Sequence, residues 1–85
     1  MPGKTKPQRD PAPSVEELRA RLAACDAKLA AAKLAFMMRT PFDGKLISYE
    51  DLSAIAKDYI QITYAIQKAT VGSVRVKMSV AKLLR

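Results

Sequence analysis

From Ser48 to Arg85 the chain carries two apolar stripes on nearly opposite sides of one potential helix, more hydrophobic surface than a single neighbouring helix covers. The first runs Leu52, Ile55, Tyr59, Ile62, Ile66, Ala69, Val76, Val80 and Leu83, a regular alternation of three- and four-residue steps broken only at Ser73. The second runs Ile60, Tyr64, Val71, Val74, Met78 and Ala81, interrupted by Gln67. At about 100° per residue the two stripes centre well over a third of a turn apart. A hairpin buries one of them. The other calls for a second copy of the chain, a different protein or a membrane surface, because contiguous exposed apolar patches are uncommon on soluble monomers.

Length sharpens this. The sequence has 85 residues, and the first thirteen hold four prolines, one glycine and no large apolar residue after Met1. Such a composition does not offset the entropy of ordering, so 1–13 reads as a disordered, basic, proline-rich arm and 14–85 as a single domain. A core of that size contributes only about 3–5 kcal/mol net, and the usual staples are missing. Cys25 is the one cysteine and there is no histidine, which excludes an intrachain disulfide and argues against zinc. Oligomerisation is the remaining source of stability. With no apolar segment behind the basic residues of the arm, and no run long enough to span a bilayer, the expected compartment is the cytoplasm.

The net charge of +7 is unevenly spread. Residues 14–58 balance seven acids against seven bases, Lys4, Lys6 and Arg9 outweigh Asp10 by two, and the remaining +5 lies after Asp58 in Lys68, Arg75, Lys77, Lys82 and Arg85 with no acid among them. A polyanion or an acidic partner is attracted to such ends.

The element pattern is all-α: a hairpin of two helices, about 14–39 and 48–84. Ser14-Val15-Glu16-Glu17 is a capping box behind Pro13. Leu18, Leu22, Cys25, Leu29, Ala32 and Phe36 then follow at helix-seam spacing. Alanines at 20, 23, 24, 27, 30, 31 and 35 surround that seam, favouring helix and permitting close approach on several sides. Phe36, Met37 and Met38 read as the closing layer of the hairpin. Pro41-Phe42-Asp43-Gly44 has turn chemistry, and Ser48 with Asp51 repeats the capping pattern. Gly72 leaves two readings open. Either the helix continues through it at about 1 kcal/mol of propensity cost, or it stops there with Gly72 in the left-handed cap and a break or a short strand follows over residues 74–80. In-phase resumption at Val76, Val80 and Leu83 favours the first; Lys77, which a continuous helix sets within the apolar stripe, favours the second.

On the continuous helix Lys57, Gln61, Tyr64, Lys68, Arg75 and Lys82 share one face, a row of cations with an interleaved tyrosine that suits phosphate tracking and base stacking. The plainer reading is a solvated face beside a packing stripe. The arm's Lys4, Lys6 and Arg9 are either groove contacts or a solubilising tail. Cys25, on a packing seam and without a histidine to activate it, reads as a core residue rather than a nucleophile. No Ser-His or Cys-His pair and no glycine-rich phosphate loop is present, so no enzyme, cofactor or small-molecule substrate is expected.

The leading expectation is a small non-catalytic protein that self-associates into a helical bundle. Ile60, Tyr64, Val71, Val74 and Met78 would form its intermolecular seam, and Lys57, Lys68, Arg75 and Lys82 with Tyr64 would face nucleic acid or an acidic protein. An adaptor or antitoxin-like chain docking on a different protein by a helix in a groove is an alternative. Two-sided apolarity suits protein packing better than a membrane surface. The layout of arm, Ala-rich helix, bend at Pro41 and Asp43, and long second helix resembles that of the needle subunits of type III secretion systems. That family has two prolines at the bend where this chain has one, and it lacks the basic excess; the resemblance implies a structural subunit that polymerises into a needle- or filament-like assembly.

Overall fold

The computed structural model describes residues 13–85, so the arm and its Lys4, Lys6 and Arg9 lie outside the described residues. The architecture is an all-α helical hairpin: α1 (Val15–Met38), a two-residue strand pair β1 (Pro41–Phe42) and β2 (Lys45–Leu46), α2 (Tyr49–Val71), and a single turn of helix, α3 (Val80–Leu83). Both long helices start as their sequences dictate. Glu17 N donates to Ser14 Oγ and Ser14 N to Glu17 Oε1, each at 3.1 Å. The same reciprocal box joins Ser48 and Asp51 at 3.0 and 3.1 Å, and the bonds from Ser48 hold the Asp51 carboxyl below its ordinary range.

The bend is tighter than a bare turn. Arg39 takes a left-handed conformation (φ 57°), with Arg39 N donating to Phe36 O and Thr40 N to Ala35 O, the paired bonds that close a helix end. Asp43 and Gly44 both have positive φ, 55° and 87°, the mirror-image turn that a two-residue hairpin demands and that an Asp-Gly pair adopts most readily. Pro41 then pairs with Leu46 and Phe42 with Lys45.

The helices meet through small residues. Ala32 and Ala56 are both completely buried, and Cys25, Leu29, Leu52 and Ile55 complete the central cluster, with Phe42, Ile47, Tyr59 and Ile62 packed against it. Alanine within the cluster lets the backbones approach, and the first α2 stripe lies on the core as far as Ile62.

After Val71 the chain departs from the expected helix to residue 84. Gly72 adopts φ 86° and caps α2 through a bond from its N–H to Lys68 O, 3.1 Å. Residues 73–79 are neither helix nor strand. The physical reason lies in α2's own side chains. Gln67 Oε1 accepts from Arg75 N and Val76 N, both at 2.7 Å, while its Nε2 donates to Val76 O at 2.8 Å. Tyr64 Oη accepts from Met78 N at 3.0 Å and donates to Met78 O at 3.2 Å. These two side chains satisfy backbone groups that a helix or a strand ladder otherwise takes, so leaving the helix strands few of them. Ser79 then caps α3 by accepting from Lys82 N, and Val80, Leu83 and Leu84 settle on the main core. Lys33 of α1 closes the third layer, donating to Leu83 O at 2.8 Å and Arg85 O at 3.3 Å.

Ala56 is completely buried within the cluster, which leaves little room for a larger side chain. Ala56→Leu is expected to cost about 1–3 kcal/mol by overpacking, read as a lowered urea midpoint with the slope unchanged.

Candidate interaction surfaces

The returning segment, residues 73–79, changes the use of the second α2 stripe. Tyr64 and Met78, expected on a seam between chains, are hydrogen-bonded to one another within the chain. Ile60, Val74 and Met78 are half-buried, as is Tyr64, and Val71 is exposed at the helix end. The interruption at Gln67 proves to be the clamp itself.

The row of cations divides in the same way. Lys57 and Lys68 remain exposed on α2, only about 20° apart around its axis. Arg75 lies in the returning segment, its backbone N–H held by Gln67, and Lys82 belongs to α3, so the two are not carried on the α2 face as a continuous helix requires. Both side chains are exposed, as are those of Lys77 and Arg85. Tyr64 is half-buried, and its hydroxyl both donates to and accepts from the backbone of Met78.

An open apolar surface lies elsewhere, on the outer side of α1. Taking 100° per residue, the buried positions Leu18, Cys25 and Ala32 are directly opposite a line formed by Ala20, Ala23, Ala27, Ala30, Leu34 and Met37, at steps of 3, 4, 3, 4 and 3. All six are exposed, and so are Ala24, Ala31 and Met38 beside them. Leu34, Met37 and Met38 leave 59, 74 and 64% of their surface in solvent. Of residues 36–38, expected to close the hairpin, Phe36 is 39% exposed with its ring tilted at 6.4 Å from that of Tyr49, and the two methionines stand largely in solvent. The signal was present in the sequence, since no charge interrupts this line from 20 to 38. It is easily missed because alanine counts as a helix former before it counts as a contact surface.

Between α1 and α2 an open groove of about 420 Å3 is lined by Arg21, Cys25, Lys28, Ile55 and Asp58. The Cys25 thiol donates to Ile55 O at 3.7 Å, and burial pushes its pKa up, with the Asp58 carboxylate adding to the rise and Lys28 opposing it. Desolvation and a carboxylate are the opposite of what activates a thiol. Among the described residues no three side chains of the His, Cys, Asp and Glu types gather as metal ligands do, and no helix is long and apolar enough to cross a membrane. No family model, curated protein or solved structure matches the chain.

Two outcomes are expected. Tyr64→Phe together with Gln67→Ala releases the returning segment, so trypsin cleaves after Arg75 and Lys77 at least tenfold faster while the α1–α2 hairpin persists. Cys25 reacts with iodoacetamide at pH 8 far more slowly in the native protein than in urea, measured by mass.

Proposed function

We propose that this chain is a small, non-catalytic helical protein that self-associates and presents a basic surface to nucleic acid. The observation that carries the reading is the outer face of α1, where Leu34, Met37 and Met38 extend an alanine line with no side chain of the fold over it. An apolar face of that length, flanked by charged residues, is the usual mark of a protein contact.

The basic surface supports the second part. Lys68, Arg75, Lys77, Lys82 and Arg85 are all exposed, and the stretch that holds them contains no acid to neutralise the field. Each cation brought to a phosphate displaces a condensed counterion, giving affinity without sequence preference. This reading assigns the self-contact to α1 instead of the second α2 stripe, and the polyanion contact to exposed cations at the end of α2, in the returning segment and on α3. The layout shared with needle subunits depended on a second helix reaching the last residues; that helix ends at Val71.

Light scattering after gel filtration is expected to give a defined oligomer at low and at high salt, and a duplex DNA titration is expected to give a steep salt dependence. Arg75→Glu with Lys82→Glu lowers the DNA affinity and reduces the slope of log K against log salt by about 2, one for each cation, without changing the oligomer. An unchanged affinity and slope would remove nucleic acid from the reading.

A further inference from the structure

We infer that the outer face of α1 is the seam of a two-fold homodimer in which the α1 helices of two copies run antiparallel, centred between Lys28 and Leu29. The inference rests on the self-association proposed above and specifies its surface, orientation and register.

Size complementarity sets the direction. The line is small at its N-terminal end and large at its C-terminal end: Ala20 and Ala23, then Ala27 and Ala30, then Leu34 and Met37. Antiparallel pairing at this centre opposes Ala20 to Met37, Ala23 to Leu34 and Ala27 to Ala30 of the second copy, so every layer pairs a large residue with a small one except the central pair of alanines. Helices then approach evenly along their length, as interdigitated packing requires. A parallel pair sets Leu34 on Leu34 and Met37 on Met37 at one end and alanines on alanines at the other, which forces the helices apart where they are large and leaves a gap where they are small.

Charge complementarity agrees. In an antiparallel pair each flank of the seam meets the same flank of the partner. One flank carries Arg19, Asp26 and Lys33, and this register brings Asp26 beside Lys33 of the second copy, twice by the two-fold, while Arg19 falls at the outer end of the seam, opposite no charge. The other flank carries Ala24 and Ala31, which face each other and allow close contact. A parallel pair matches opposite flanks and leaves Asp26 and Lys33 facing alanine. Lys33 serves both purposes: its ammonium has three donors, of which the carbonyls of Leu83 and Arg85 take two. The dimer contact and the clasp on the C-terminal layer therefore share one side chain.

The test uses single-cysteine proteins on a Cys25→Ala background. Ala23→Cys and Leu34→Cys variants, each checked for native helicity by circular dichroism, are oxidised separately and as a mixture. In the proposed register position 23 faces position 34 of the other copy, while equivalent positions lie roughly 16 Å apart along the axis, beyond the ~4.4–6.8 Å between Cα atoms that a disulfide spans. The expected result is a covalent dimer in the mixture and none in either variant alone, repeated with Ala20→Cys and Met37→Cys. Asp26→Lys, which sets like charges together, is expected to raise the dimer dissociation constant about tenfold at low salt. Bridging within a single variant would mean a parallel pair and overturn the inference. An oligomer by light scattering with no bridge in either mixture would overturn this seam while leaving self-association standing. A monomer at all concentrations would overturn both.

Discussion

Two completely buried alanines, Ala32 and Ala56, stand in the cluster between the long helices, where small side chains allow close approach, and much of the fold depends on that narrow contact. Helices that touch through alanine exclude water from a narrow strip, but they bury little apolar area in doing so. The strip is widened from three directions: Phe42 and Ile47 from the bend, Tyr59 and Ile62 from the next turns of α2, and Val80, Leu83 and Leu84 from the C-terminal layer. The C-terminal segment is in this sense a part of the core. Lys33 holds it there by its last carbonyls.

That third layer requires the chain to leave its helix after Val71, and doing so exposes backbone groups that need partners. Gln67 and Tyr64 supply them from α2, the amide bonding Arg75 and Val76 and the phenol bonding Met78. A polar residue within an apolar stripe has the appearance of a defect when the stripe is imagined against another helix. Placed beneath a returning segment it is the donor and acceptor that replace a ladder. Each of these bonds is part-buried or exposed, so the segment is held by several modest contributions and not by one strong one.

The open apolar face and the excess positive charge lie in different parts of the chain. The balanced half of the chain contains α1, whose outer face is apolar and whose flanks carry both signs. The acid-free half contains the end of α2, the returning segment and α3, all bearing exposed cations. The apolar line and the exposed cations of that half therefore share no residue. Cys25 stands apart from both, half a turn away from the α1 outer face, as a small core residue whose thiol is kept protonated by burial.

Much of this was determined by the sequence alone, because the deciding interactions are local. The capping boxes at Ser14 and Ser48, the Pro41–Gly44 bend, the packing seam of α1 from Leu18 to Ala32 and the first α2 stripe through Ile62 each depend on residues within a few positions of one another, and each is found where spacing placed it; Phe36, the last residue of the expected seam, is exposed. The distribution of charge is equally legible without coordinates. What only the tertiary structure decided turns on contacts across eight or more positions. The return after Gly72 is stabilised by Gln67 reaching Val76, Tyr64 reaching Met78 and Lys33 reaching Leu83, and periodicity measured along one helix contains no term for them. Val80 and Leu83 sit on the core although the helix that would have carried them there in phase has ended. The free apolar face was decided in the same way: once the chain covers part of its own second stripe, the alanine line of α1, opposite the core, is the surface left open.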